Sequence, residues 1–187
     1  IQWLLSLCLY LSLSPIQGQE MDSTANKLSD FPMTWVGQRI GQLEIYNNAG
    51  LAQSVEMELD IRPIDNSSNF IWAITYGPDK VAGRRSYELA TVNKENGLYL
   101  IDEKNTIKLE SYLFNNKLYS RFEVMGSWLL SSYEKQGEEI VFEIISGKGE
   151  AVSKTGGQNF ENQEIPEVNV FPIFDNLLAM LIRNKSF

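Results

Sequence analysis

The stretch from Ile107 to Val124 constrains the fold most, because its side-chain pattern tests its own strand pairing. Asn115-Asn116 divides it into two alternating segments and suits the two-residue turn of a β-hairpin. With that turn, apolar residues meet on one face and polar or oppositely charged residues meet on the other, in the pairs Leu113–Leu118, Leu109–Phe122, Ile107–Val124, Tyr112–Tyr119, Glu110–Arg121 and Lys108–Glu123. Such pairs stabilise an antiparallel ladder. The sequence therefore predicts a hairpin with one dry face and one wet face.

The chain around this hairpin alternates in the same way. Strands are predicted at 35–46, 54–62, 70–76 and 85–92, with the strictest apolar alternation at 54–62 and a bend at Gly37 or Gly41 in the first. Turns at 93–96 and 102–105 would place Leu89 opposite Leu100 and Leu98 opposite Leu109. Further turns near 126 and 136 keep one inward face. We therefore predict an all-β fold, an antiparallel up-and-down meander that closes into a barrel of about nine to ten strands and so removes its edges.

The last quarter of the chain is harder to interpret. Residues 147–164 are polar and rich in glycine, which predicts a long surface loop. Val168 to Phe174 is a candidate closing strand, and Asn176 to Arg183 a candidate short helix. Periodicity alone does not separate strand from helix in so apolar a segment.

The N-terminal residues resemble a targeting segment. Residues 1–18 carry no charge, and the apolar run from Trp3 to Leu11 is followed by Pro15 and Gly18, which is typical of a signal peptide. We expect cleavage near Gly18, a secreted or periplasmic protein, and no membrane span after cleavage. Residues 19–30 then form a polar lead-in, and residues 31–187 a single barrel domain. Cys8 is the only cysteine, so the processed protein would have no disulfide.

Composition excludes several classes of function. The formal net charge of −8 weighs against nucleic acid as a partner. The chain has no histidine, which excludes Ser-His-Asp and Cys-His catalysis, histidine-ligated haem and the usual zinc sites. The acidic pair Asp102-Glu103 is more simply explained by a turn with solvated charges. We expect no catalytic residue, no metal, no cofactor and no enzymatic activity.

Polar side chains interrupt the predicted inward face. These are Arg39, Arg85, Ser111, Ser120, Ser131 and Tyr133. A cavity for an amphipathic ligand would account for them, because apolar walls accept the tail and a few donors fix the polar end. A bulge near Gly83 would instead turn Arg85 outward and put Arg84 in its place.

Together with the sequential meander, the segment Phe31-Pro32-Met33-Thr34-Trp35 resembles the calycin superfamily, which includes lipocalins and fatty-acid-binding proteins. It resembles their F-x-G-x-W opening, with Met33 where that pattern has glycine. The strand count is similar to the fatty-acid-binding branch, although no helical cap follows the first strand. The resemblance implies a lipocalin-like barrel that holds a small hydrophobic molecule, with Arg and Tyr side chains at its polar end.

We therefore expect a monomeric binding protein for a small hydrophobic or amphipathic ligand. The residues expected to line the ligand share the inward face and come from different strands: Trp35, Met57, Leu59, Trp72, Tyr87, Arg85, Phe122 and Tyr133. Among them Arg85 is the charge expected to meet an anionic head group. The alternative is a structural or interaction domain with a filled core, which would bind a protein or glycan through its surface.

Overall fold

The computed structural model describes residues 30–184. The predicted signal peptide at 1–18 and almost all of the predicted lead-in lie outside the described residues. The described part contains a short 3-10 helix at Met33–Trp35 and fourteen strands. These are β1 (Gly37–Asn47), β2 (Gly50–Pro63), β3 (Phe70–Tyr76), β4 (Arg84–Asn93), β5 (Leu98–Asp102), β6 (Lys108–Phe114), β7 (Lys117–Val124), β8 (Ser127–Gln136), β9 (Glu139–Lys148), β10 (Ser153–Thr155), β11 (Asn159–Phe160), β12 (Gln163–Glu164), β13 (Val168–Val170) and β14 (Asp175–Arg183).

Ten of these strands form a closed antiparallel barrel. Strands β1 to β9 follow one another around the ring, and β14 closes it between β9 and β1. Each of the first nine strands therefore pairs with the next one in sequence, and β1 and β9 each also pair with β14. The predicted all-β meander and its closure into a barrel are confirmed.

The hairpin of β6 and β7 has the predicted register next to its turn. Tyr112 faces Tyr119 and Leu113 faces Leu118, and Asn115 adopts the positive φ of 56° that the turn requires. The far end of the predicted hairpin differs, because the ladder ends at Tyr112–Tyr119 and does not include the predicted pairs Leu109–Phe122, Ile107–Val124, Glu110–Arg121 and Lys108–Glu123. Ile107 and Val124 are exposed there. The hydrophobic pattern thus determined the register correctly where one face is fully buried.

Strand β5 presents the opposite face from the one predicted. Leu89 faces Ile101, so Tyr99 and Ile101 point inward in place of Leu98 and Leu100. A bulge near the end of β4 shifts the register, and a shift of one residue exchanges the two faces of a strand. All four residues of β5 at 98–101 are apolar, so their pattern does not distinguish inside from outside.

The segment between β9 and β14 forms an arm, defined here as residues 149–174. It is a β-ribbon rather than the predicted loop, because β10 pairs with β13 and β11 pairs with β12. The predicted strand at Val168 to Phe174 contributes only β13, and the closing strand is Asp175–Arg183. The predicted helix at 176–183 is therefore wrong. Leu177, Ala179 and Leu181 point inward at every second position, as in a strand that pairs on both sides.

One end of the barrel is plugged by the 3-10 helix. Phe31 packs edge to face on Trp35 and on Tyr99, with ring centroids 4.8 and 4.7 Å apart. Arg39 is fully buried beside this plug. Its Nη1 donates to the carbonyl oxygen of Trp35 (2.7 Å), and its Nε donates to that of Glu138 (2.8 Å), so it ties the helix to the β8–β9 turn. We call this end of the barrel the closed end.

Candidate ligand site at the open end of the barrel

The end opposite the plug is open to solvent. Side chains there point into the barrel yet remain partly exposed, whereas inward side chains nearer the plug are buried. The ladder runs around the whole ring, although β6 and β7 pair only beside their turn. Solvent therefore reaches these inward side chains through the end of the barrel, and Leu109 and Phe122 also lie beside the unpaired parts of β6 and β7. We call this region the mouth; its inward residues include Ile45, Tyr76, Tyr87, Leu109, Phe122, Ile144 and Leu177.

Two aromatic rings form a floor beneath the mouth. Trp72 and Tyr133 pack edge to face, with ring centroids 5.1 Å apart and an interplanar angle of 90°. Trp72 lies on β3 and Tyr133 on β8, which are separated by the same number of strands in either direction around the ring. Their contact therefore crosses the barrel, and both side chains are buried. The floor separates the open mouth from the filled core at the closed end.

The phenol groups of the mouth stay protonated at physiological pH. Burial raises the pKa of Tyr76 to about 12, and the neighbouring Tyr87 adds to this effect. Burial likewise raises the pKa of Tyr87, and the charge of Glu103 raises it further. Tyr133, in the floor, has its pKa raised strongly by burial. These hydroxyl groups are therefore neutral hydrogen-bond donors.

Arg85 lies at the rim of the mouth. It faces Ile74 in the ladder, on the same side of β4 as Tyr87, and its side chain is exposed. Its Nη1 donates to the carbonyl oxygens of Ala82 (2.9 Å) and Arg84 (3.1 Å), and it makes no ion pair with any described residue. Its guanidinium therefore has donors free at the rim.

Arg84, the alternative inward residue, is on the outer surface. Its Nη2 lies 3.4 Å from Asp60 Oδ2, within a group of ion pairs outside β2 to β4. In the same group Lys80 pairs with Glu56 and lies 2.6 Å from Glu58. The outer face of these strands is thus charged, as their alternation predicts.

Glu103 is a mouth residue that the sequence assigned only to a turn with solvated charges. It belongs to the β5–β6 turn, where Asp102 Oδ1 accepts from the Lys104 backbone N–H (2.8 Å) and Asn105 Oδ1 from that of Ile107 (3.0 Å). The turn thus has the predicted chemistry. Glu103 itself is half-buried and close enough to raise the pKa of Tyr76 and Tyr87. Arg85 and Glu103 therefore bring charges of both signs to the mouth.

The serine residues predicted on the inward face bond to one another. Ser111 Oγ and Ser120 Oγ are 2.7 Å apart, and Ser131 Oγ donates to the carbonyl oxygen of Ser120 (3.5 Å). All three residues are buried on the adjacent strands β6, β7 and β8. Their hydroxyl groups are satisfied within the wall, so they do not require a ligand.

The predicted ligand residues occupy three depths of the barrel. Tyr87 and Phe122 are half-buried in the mouth and Arg85 is at its rim, whereas Trp72 and Tyr133 form the floor. Met57, Leu59 and Trp35 are buried in the core, with Trp35 at the closed end. Contact of these residues with a ligand stays a prediction.

Two further mouth residues were missed for different reasons. Tyr76 lies on the same inward face as Trp72, so the alternation along this strand would have identified it as a ligand candidate. Leu177 was hidden because its segment was expected to be helical.

The described residues contain neither a metal-binding cluster nor a membrane-spanning helix. Residues 30–184 hold no group of three or more acidic or cysteine side chains arranged to bind a metal ion. In the same range no helix combines the length and apolar character that crossing a membrane would need.

Comparison with known proteins identifies the fold. No protein-family model and no curated protein matches the chain. The structure of the S-type phycobiliprotein lyase CPES from Guillardia theta is similar at a TM-score of 0.57 and 11% identity, covering 90% of this chain and 100% of that one. A DUF3598 protein of unknown function from Nostoc punctiforme PCC 73102 is similar at a TM-score of 0.51 and 11% identity, covering 92% of this chain and 53% of that one. The chain shares a closed antiparallel β-barrel fold with these structures.

The expectation that the protein has no enzymatic activity is corrected by this comparison. It was drawn from the missing catalytic motifs and from a resemblance to binding proteins. A structure with the same type of barrel is named a lyase, so the fold does not restrict its members to binding. The lack of histidine excludes particular mechanisms and does not exclude catalysis as such.

Proposed function

We propose that the protein binds a small amphipathic molecule in the mouth of the barrel. The observation that carries this proposal is the contrast between the two ends: inward side chains are buried at the closed end and partly exposed at the mouth. Apolar walls with a few convergent polar groups are typical of small-molecule sites. The Trp72–Tyr133 floor would limit how deeply the ligand enters.

The charged groups of the mouth indicate the polar part of this ligand. Arg85 has unpaired donors that suit a carboxylate, which a guanidinium binds through two parallel hydrogen bonds. Glu103 suits an N–H or O–H donor, and the protonated Tyr76 and Tyr87 suit acceptors. A molecule with an apolar body, an anionic group and a hydrogen-bond donor would use all four residues.

The comparison adds one candidate for the apolar body. The name phycobiliprotein lyase points to pigments of the bilin type, which are conjugated and carry both carboxylates and N–H groups. A bilin therefore joins a fatty acid as a probe of the mouth. Its planar body would pack against the aromatic wall formed by Tyr76, Tyr87 and Phe122.

The ligand test uses anionic probes and their neutral analogues. Wild-type protein, Arg85→Gln and Arg84→Gln are titrated with oleate and oleyl alcohol, and with biliverdin and its dimethyl ester, while tryptophan fluorescence is followed. Arg84→Gln is the matched control, because Arg84 is the next residue and lies on the outer surface. We expect Arg85→Gln to weaken the preferred anion by about 10- to 100-fold, the usual range for a charged hydrogen bond.

The outcomes separate the roles of the two arginines. A loss for the anion but not for its neutral analogue, seen in Arg85→Gln alone, supports the proposal. Equal losses in both variants would remove Arg85 from the site. If no probe binds wild-type protein saturably, the mouth is not a site for these ligands and the proposal is wrong.

We also propose that residues 1–18 direct export, so that the barrel works in a secreted or periplasmic location. The support is the uncharged, apolar sequence of that segment. N-terminal sequencing of protein produced from the full chain tests this point. A new N-terminus near Gln19 in the exported fraction is expected, and intact protein confined to the cytosol would contradict it.

A further inference from the structure

The outer face of β14 is apolar, unlike the charged outer faces of the neighbouring region of the barrel. Its outward side chains Leu178, Met180 and Ile182 are 38%, 53% and 56% exposed. By contrast, β2 presents Glu56, Glu58 and Asp60 at the same kind of position, all in ion pairs. A half-buried strand normally has a polar outer face. The three residues of β14 therefore form an unpartnered apolar row.

The strands on both sides extend this row into a patch. Ile40 on β1 lies opposite Ile182, and Val141 on β9 lies opposite Met180. The chain entering β14 adds Phe174, which is exposed and whose backbone N–H donates to the carbonyl oxygen of Ser146 on β9. We call this surface the β14 face. Exposed apolar patches of this kind mark interaction sites on soluble proteins.

The β14 face has a protruding part and a receiving part. Ile182, at one end of the row, is its most exposed residue. At the other end, a depression of about 320 Å³ is lined by Gln42, Glu44, Val141, Leu178 and Met180. A two-fold axis through Met180 would place Ile182 of one copy over the depression beside Leu178 of the other. This arrangement would pair the most exposed side chain of each row with the depression of the other copy.

We propose that the β14 face binds a second copy of this chain, as a two-fold symmetric dimer. In a two-fold interface the same patch serves both partners, and Met180 would meet its own equivalent at the axis. The two outer sheet faces would pack about 10 Å apart, as sheets do in sandwich folds. A dimer replaces the monomer expected from the sequence. It is independent of the ligand proposed for the mouth.

The charges around the face fit this arrangement. Glu44 and Glu143 are level with Leu178 on the flanking strands, so both acids lie at one end of the row. The two-fold axis sends the acids of the second copy to the opposite end, about 13 Å away at the usual rise per residue. If the two β14 strands instead ran in the same direction, the four acids of the two copies would lie together at one end. The net charge of −8 also disfavours an anionic lipid surface as the occupant.

The face is large enough for a dimer. Nine residues of β14 span about 30 Å, and three strands with their side chains span roughly 20 Å, which gives about 600 Å² per copy before Phe174 is added. Specific interfaces bury from about 600 Å² upward on each partner. Its apolar centre and acidic edge are also typical of homodimer interfaces.

The test compares matched surface variants by sedimentation equilibrium. Met180→Glu would place two like charges at the axis, and we expect it to be a monomer while wild-type protein is a dimer. Phe114→Glu is the control, because Phe114 is 66% exposed on the outer face of β6, away from the β14 face. It should remain a dimer. Circular dichroism checks that both variants keep the β-sheet spectrum of the wild type.

A cross-linking experiment tests the position of the axis independently of stability. In a Cys8→Ser background, Met180→Cys should form a disulfide-linked dimer on oxidation, because only the residue at the axis meets its own copy. Phe114→Cys should stay monomeric on denaturing gels under the same conditions. Efficient cross-linking of Met180→Cys would support the dimer even if Met180→Glu failed to fold.

Three outcomes would overturn the proposal. Wild-type protein that sediments as a monomer at all concentrations would do so. Equal dissociation of Met180→Glu and Phe114→Glu would show that the dimer uses another surface. If the wild type instead floats with phosphatidylcholine vesicles and Met180→Glu does not, the β14 face binds lipid rather than a second copy.

Discussion

Arg39 and Arg183 face each other across β1 and β14 but lie in opposite environments. Arg39 points inward, is fully buried and donates to two backbone carbonyl oxygens at the closed end. Arg183 is on the surface, 45% exposed, and pairs with Glu138. Burial and the nearby charge of Arg183 lower the pKa of Arg39 from its ordinary value, while Glu138 raises it. The same residue type therefore serves the fold at one position and the surface at the other.

Removal of these two side chains should have very different effects. Arg39→Ala leaves the carbonyl groups of Trp35 and Glu138 without donors and opens a cavity, so we expect a loss of about 2–4 kcal/mol in the free energy of unfolding. Arg183→Ala breaks an exposed ion pair and should cost less than about 1 kcal/mol. Urea denaturation measures both values. Similar costs would mean that Arg39 does not hold the plug.

The orientation of β5 can be tested at two adjacent residues. Ile101→Asp should cost several kcal/mol, because it buries an unpaired carboxylate in the core. Leu100→Asp, whose side chain points outward, should cost about 1 kcal/mol or less. Urea denaturation of the two variants decides between the faces. The reverse order would restore the orientation predicted from the sequence.

The floor of the mouth should depend on the ring of Tyr133 more than on its hydroxyl group. Tyr133→Ala removes the partner of Trp72 and of Phe142, and should cost about 3–5 kcal/mol. Tyr133→Phe keeps both ring contacts and should stay within about 1.5 kcal/mol of the wild type. Thermal or urea unfolding is a suitable measurement. A large loss for Tyr133→Phe would show that the hydroxyl group has an essential partner.

Alkaline pH should weaken the fold through the mouth tyrosines. The pKa of Tyr76 is raised from 10.0 to about 12 in the folded protein, so the fold favours its protonated form. This contribution is fully present below pH 10 and is lost as the pH rises from 10 towards 12, where only the unfolded chain ionises. Between these values, Tyr76→Phe should lose stability less steeply than the wild type. Parallel curves for the two proteins in urea denaturation at each pH would contradict this.

Alternation predicted the strands that have one wet face and failed where both faces are apolar. Strand β2 contains the whole predicted segment 54–62, and β6 and β7 pair as expected beside their turn. In β5 and β14 the outward residues are also apolar, so the pattern of polar and apolar residues carries no information about face. For β14 this ambiguity has a physical origin in the proposed dimer, because a face that meets another molecule need not be polar.

The sequence predicted which side of each strand faces the interior of the barrel, but not how deep along the barrel axis each residue lies. Parity along each strand separates inward from outward residues and correctly grouped Tyr87 and Phe122 with Trp72. Depth along the barrel axis depends on strand tilt and on which end the plug fills, and neither is encoded in that parity. Trp35 was therefore assigned to the ligand together with Tyr87, although it lies at the closed end. Glu103 was assigned to a solvated turn, because a turn accounts for its local sequence and parity gives no sign that the turn lies at the mouth.

The position of β14 in the chain has a consequence for biosynthesis. Strands β1 and β9 each have one edge that pairs only with β14, residues 175–183, so neither ladder is complete until that segment is available. While the ribosome still holds this segment, the other nine strands can form only an open sheet with two unpaired edges. Such edges attract other chains, so the nascent protein is most exposed to aggregation just before β14 leaves the ribosome. Truncation within β14 should therefore affect soluble yield far more than its length would suggest.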